Sequence, residues 1–222
     1  MGLPVDALAH LLLKKFDDES IVLHRYNFFV IADSAYKNAG ATDPGGILRA
    51  LAEAFDWLTY HGLISVNGQG DFITRKGYKV LQSENGLDLV RAQARIDVDL
   101  HPRIGDRMRS QFLLGEYELA AFAAMREVEI RVRELAGASA SDIGVPLMTK
   151  AFKDGGPLRD RTADGGEQTA MMNLFQGAIG VFKNPTSHRQ VDYANPTIAS
   201  EVVLLADLLL RMLDERQSSS VR

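Results

Sequence analysis

The chain has 222 residues, 46% of them hydrophobic, with a formal net charge of −4 and no cysteine. That length and apolar content are enough to bury a real core, while the missing thiols exclude disulfides, thiolate zinc sites and cysteine nucleophiles. Ten Lys/Arg face thirteen Asp/Glu over residues 1–100, and fifteen face sixteen over 101–222, so neither half is a basic coat for nucleic acid.

The opening residues, "MGLPVDALAHLLLKKF", carry neither a basic lead-in nor a small-residue cleavage site, and no apolar run approaches the ~20 residues of a membrane helix. The expectation is a soluble, cytoplasmic protein with no membrane contact. Two helical patterns, at about 4–15 and 27–39, come first. "PGGILRALAEAFDWLTYHGLI" then spaces Ile47, Leu48, Leu51, Phe55 and Leu58 at a helical period and stops at Gly62. "LISV", "NGQG" and "DFIT" read as two short strands around a Gly-rich turn. "TRKGYKVL" follows as a helix with Thr74 as its cap.

Helix, hairpin, helix, after two earlier helices, is the order of a winged helix-turn-helix over residues 1–86. The order also occurs in domains that bind no DNA. A reading helix offers Arg, Lys, Asn or Gln to base edges, and the 47–61 helix offers Arg49 beside Glu53 and Asp56. The wing and its flank hold Arg75, Lys76 and Lys79, which could touch phosphates. DNA reading and a packing or dimerisation role both stay open.

Residues 87–105 read as a helical connector, with a break at His101-Pro102. The rest, 106–216, reads as all helical. Residues 115–136 predict a helix with Leu119, Phe122, Met125, Val128, Val132 and Leu135 as its apolar stripe. Arg126, Glu129 and Arg133 share another face at i, i+3 and i+7, which in isolation reads as a solvated salt-bridge ladder. A helix over 141–152, capped by Ser139 or Ser141, precedes a loop over 153–167.

Residues 168–182 predict a core-facing helix through Met171, Leu174, Phe175, Ala178, Ile179 and Phe182. A last helix opens at Asn195-Pro196, runs through Ile198, Val202, Leu205, Leu209 and Met212, and ends in a frayed polar tail, 217–222.

Between those two helices stands "FKNPTSHR", Phe182 to Arg189. Asn184-Pro185 stops a helix, and a lone His in such a loop is ordinarily just polar punctuation. The functional reading starts from reach: Lys183 and His188, turned by a Pro, can bring a fixed positive charge and a titratable imidazole to one pocket. Metal-free RNA cleavage needs such groups. One imidazole takes the 2′-hydroxyl proton, another protonates the leaving 5′-oxygen, and cations hold the charge on the phosphorane. One chain supplies one suitable His, since His10, His24, His61 and His101 lie in the first half; a two-fold dimer would supply two.

From about Leu100 to Asp214 the chain resembles the Ymh-type family of the HEPN superfamily. The matching segments are "LHPRIG", "GEYELAAFAAMREVEIRVRELAG", "GVPLMTKAF", "LFQGAIGVFKNPTSHR" and "LLADLLLRMLDE". The resemblance implies a helical bundle, usually dimeric, and many such domains are metal-independent endoribonucleases of defence and toxin systems. Carried over, Lys183 stands at the family's Arg, Asn184 is the adjacent polar residue and His188 the catalytic His. Arg126 and Glu129 would match charged residues of the early helix. Arg133 on that face and Arg189 beside the His join them as substrate-binding residues.

Lys for Arg keeps the charge but loses the planar fork that grips a phosphate twice. The overall expectation is a mainly α protein, a winged-helix-like domain followed by a HEPN-like bundle. It would act as a homodimer on RNA in antiviral defence, toxin or stress response, with an antitoxin or defence partner possible and no metal or cofactor. The alternative is a non-catalytic dimeric regulatory protein whose first domain binds DNA or a protein partner.

Overall fold

The computed structural model describes residues 2–18, 24–184 and 195–220, with side chains of the last helix described through 217. It is mainly α-helical with one small hairpin, and divides into two compact units, Met1–Val90 and Arg91–Arg222.

The first unit holds α1 (Val5–Asp18), α2 (Arg25–Asn38), α3 (Pro44–Tyr60), the strands β1 (Ile64–Asn67) and β2 (Gly70–Ile73), and α4 (Arg75–Gln82). Asp43 caps α3 by accepting from the Gly46 N–H at 2.8 Å, and Pro44 sits in the first turn, where its missing N–H costs nothing. The strands pair antiparallel with Ile64 opposite Ile73 and Asn67 opposite Gly70, so the turn is Gly68-Gln69. Thr74 caps α4 as predicted, accepting from the Gly77 N–H at 3.1 Å. A Cβ at Gly77 would lie 2.2 Å from the Leu63 carbonyl oxygen, so only glycine lets α4 approach the strand this closely. The core gathers Leu13, Phe16, Phe55, Leu58, Leu63 and Val80, and Phe28 and Phe29 join Phe16 and Phe55 with ring centroids 5.1–5.9 Å apart.

α5 (Gly86–Ile96) follows in the segment read as a connector; Val90 is buried in the first core, and Ala92 and Ile96 in the second. The second unit continues with α6 (Gly105–Leu114), α7 (Tyr117–Leu135), α8 (Gly144–Phe152), α9 (Gly165–Ala178), a π-helical turn (Ile179–Lys183) and α10 (Pro196–Ser220). α7 packs against α10, α6, α8 and the π turn, so it is the centre of the unit.

Several sequence expectations change here. The buried stripe of α7 is Ala120, Ala121, Ala124, Met125, Val128, Glu129 and Val132, while Leu119 is 45% exposed. Small residues mark the core face because they let neighbouring helices approach, and apolar size alone pointed to the wrong side. Leu174 and Ile198 are likewise exposed, and α10 buries Ala199, Val203, Ala206, Leu210 and Leu213 together with Val202 and Leu209. α6 opens the region read as all helical, where the apolar pattern marks no separate element. α8 starts at Gly144, not 141, with no local side-chain cap; Ser139 and Ser141 bond to each other at 3.1 Å instead. α10 runs on to Ser220, into the segment expected as a frayed tail.

Candidate functional site

Glu129 stands four residues after Met125 and three before Val132, so α7 carries it at the edge of its core face. It is only 4% exposed. A carboxylate so placed needs partners, and three are present. The Gly144 N–H, an orphan donor at the start of α8, donates to Oε1. Lys183 Nζ and Arg133 Nη2 each lie 3.4 Å from Oε2. Glu129 therefore does from a distance what a Ser or Asp cap would do locally, placing negative charge at the helix N-terminus.

Gly144 has φ +64°, a left-handed conformation that glycine adopts without strain. A Cβ there would stand 3.5 Å from Asn184 Oδ1, so the Asn184 amide lies over this glycine. Arg133 is tied further by its Nε–H, which donates to the Asp142 carbonyl oxygen at 2.9 Å. The Asp142 carboxylate accepts from Lys150 at 2.8 Å and from the Ser139 N–H at 2.9 Å; the Lys150 bond first, and the Ser139 bond next, hold its pKa below the usual carboxylate range.

The π turn puts Lys183 here. Ile179 is fully buried, and the wider i→i+5 turn returns the chain to the same interior face at Lys183, whose side chain is 13% exposed. π turns inside α-helical runs are rare and are frequently found at functional sites. Lys183, Asn184, Glu129, Arg133 and Gly144 thus form one cluster. Among the described residues two cations, Lys183 and Arg133, meet one carboxylate here with an amide beside them, and ammonium, guanidinium and amide are groups that bind phosphate.

His188 and Arg189 lie outside the described residues. Arg126 does not join the cluster: it is exposed and lines a groove between α6 and α7 with Arg103, Arg107 and Phe122. The solvated ladder expected of Arg126, Glu129 and Arg133 is therefore replaced by a buried Glu129–Arg133 pair. Arg75 and Lys79 are exposed on α4, and Lys76 is half-buried, which lowers its pKa.

Residues 98–213 match the family model described as a protein of unknown function, Hypoth_ymh. The chain belongs to the Hypoth_ymh family. No curated protein and no solved structure matches the chain. The Hypoth_ymh region lies wholly within the second unit and includes every member of the Glu129 cluster.

The second unit holds another polar cluster, at the segment the sequence marks only as a helix break. His101 is buried, and its Nε2 lies 2.9 Å from Asp214 Oδ2, while its Nδ1 accepts from the Arg103 N–H at 3.3 Å. With Nδ1 accepting, Nε2 carries the proton that faces Asp214. Arg131 grips Asp214 Oδ1 through Nε at 3.1 Å and Nη2 at 2.6 Å, and the His101 N–H donates to Asp207 at 2.6 Å. The bond from His101 and then those from Arg131 depress the Asp214 pKa. His101 is thereby satisfied as a fastening of the chain to α10. Only the "LHPRIG" and "LLRMLDE" segments hinted at it, 113 residues apart.

Among the described residues no group of three or more His, Asp or Glu side chains could hold a metal ion, and no helix is long and apolar enough to cross a membrane.

Proposed function

We propose that the chain is a HEPN-type protein that acts on RNA as a homodimer, with the Lys183 cluster as its site. The observation that supports this most is the buried Glu129 holding Lys183 and Arg133 at the end of a π turn, with Asn184 alongside. Glu129 orients Lys183 and limits its motion, so the ammonium is presented in one geometry rather than as a flexible point charge. Arg133 supplies a second positive charge beside Glu129.

In the reaction proposed, His188 of one subunit takes the proton from a ribose 2′-hydroxyl as that oxygen attacks the adjacent phosphorus. The P–O5′ bond breaks, and His188 of the partner subunit protonates the departing 5′-oxygen. The products are a 2′,3′-cyclic phosphate and a 5′-hydroxyl. Lys183, with Arg189, steadies the charge on the phosphorane, and Asn184 orients the His or the scissile group. A defence, toxin or stress-response setting, with an antitoxin or other partner, belongs to the same proposal.

The test is incubation of the purified full chain with mixed RNA in EDTA, wild type beside His188→Ala. Cleavage by the wild type alone is the expected result. Cleavage by both removes His188 from the mechanism, and a monomer by light scattering at micromolar concentration removes the shared site.

The second reading is a non-catalytic dimeric regulatory protein whose first unit, arranged like a winged helix, binds DNA or a protein partner. Its support is that Glu129 already neutralises one of the two cations beside it. Protein that binds RNA without cutting it would favour an RNA-binding role, and protein that ignores RNA would favour this second reading.

A further inference from the structure

The C-terminal end of α3 carries three neighbouring rings, of which Trp57 packs against the first core and Tyr60 stands outside it. Trp57 and His61 have ring centroids 4.2 Å apart at a 51° tilt, and Tyr60 meets His61 edge-on at 5.0 Å. Tyr60 is 83% exposed, so its ring face is open to a ligand. Burial first, and the Lys76 charge next, lower the His61 pKa.

α4 begins beside the end of α3, where the Thr74 hydroxyl donates to the Gly62 carbonyl oxygen at 2.7 Å. Arg75, Lys76 and Lys79 share one face of α4, and among the described residues no carboxylate lies within ion-pair distance of any of them. This contrasts with the outward face of α3, where Glu53 and Asp56 would meet the phosphates of a duplex docked along the helix. Asp56 is engaged by Arg25 at 3.1 Å, so that arginine is withdrawn from any base edge.

We infer that Tyr60, with Trp57 and His61 behind it, is a stacking platform for single-stranded nucleic acid, and that Lys76, Arg75 and Lys79 track the strand's phosphates. Every base has a π-face, so rings beside unpaired cations bind strands with little sequence preference. A duplex keeps its bases stacked on one another and cannot offer them to Tyr60. The platform lies in the first unit, outside the family-matched region, and its binding needs no cleavage at Lys183.

Trp57 is the chain's one tryptophan and so reports this site alone. The full chain carrying His188→Ala, which prevents cutting, is titrated with oligo-U, oligo-dT and a duplex of equal length while Trp57 fluorescence and strand anisotropy are read. Single strands should change Trp57 fluorescence at the concentrations where anisotropy rises, and the tighter of the two strands identifies the natural ligand as RNA or DNA.

Tyr60→Ala, at an exposed position, should weaken that binding on the order of tenfold, whereas Tyr60→Phe retains it. Lys76→Gln should lower the slope of log K against log salt by about 0.7, one phosphate contact. Anisotropy that rises while Trp57 fluorescence stays fixed puts the strand elsewhere and overturns the platform, leaving the Lys183 proposal intact. Wild-type affinity in Tyr60→Ala, or a duplex that binds as tightly as the single strands, also overturns it.

Discussion

Replacing Glu129 by Gln keeps the shape and one oxygen for the Gly144 N–H but removes the charge between Lys183 and Arg133. At 3.4 Å and an effective dielectric constant near 20, each pair has a gross attraction of about 5 kcal/mol. Most of that is offset by the desolvation of groups that are 5% to 20% exposed. Removing one partner of a buried pair leaves the others unpaired, at a cost of about 3–5 kcal/mol; the residual exposure of both cations puts this case near about 3 kcal/mol. Lys183→Met should cost less, since Arg133 still serves Glu129. The double variant should be less destabilised than the sum of the two singles, because the two residues share one interaction. Urea unfolding of the full chain, followed by far-UV circular dichroism with Trp57 fluorescence reporting the first unit, measures each value. A Glu129→Gln cost below about 1 kcal/mol, or strict additivity with Lys183→Met, would refute the view that Glu129 holds Lys183 in place.

Gly144→Ala should cost about 1–2 kcal/mol by urea unfolding, because its φ of +64° strains any residue with a Cβ while the contact with Asn184 is only ordinary packing. Phe152 and Phe175 are fully buried and stacked at 4.6 Å, so Phe175→Ala should cost about 3–5 kcal/mol in the same assay. Asp214 has a depressed pKa in the folded state, so its contribution is complete above the ordinary carboxylate value, about 3.9, and is lost as pH falls through the depressed one. Urea midpoints of wild type and Asp214→Asn should converge as pH drops below about 4; a gap that is constant from pH 7 to pH 3 would refute this assignment.

The elements themselves were legible where local chemistry sets them. Thr74 and Asn195-Pro196 are signals that act within a few residues, and the helices they open start within a few residues of those positions. The apolar face of α3 also came through, because Leu51, Phe55 and Leu58 are both large and buried. The inward face of α7 did not, since alanines define it and a glutamate completes it. α8 illustrates the limit most clearly: its N-terminal partner is Glu129, 15 residues away, and no nearby Ser replaces it. The π turn leaves no mark in an apolar period, as Ile179 and Phe182 fit an uninterrupted α-helix equally well. Of the site, Lys183, Asn184, Glu129 and Arg133 could be named from the chain, but Gly144 could not, because its role depends on a left-handed backbone that only the fold reveals. Arg126 was grouped with them by spacing alone, and spacing cannot show that its face turns toward α6.

The most direct test of RNA at the Lys183 cluster is photocrosslinking of 4-thiouridine RNA to the full chain in EDTA, with crosslinked peptides read by mass spectrometry. Crosslinks within residues 177–189 that fall sharply in Lys183→Ala are the predicted result; crosslinks confined to the first unit, or none at all, would contradict it.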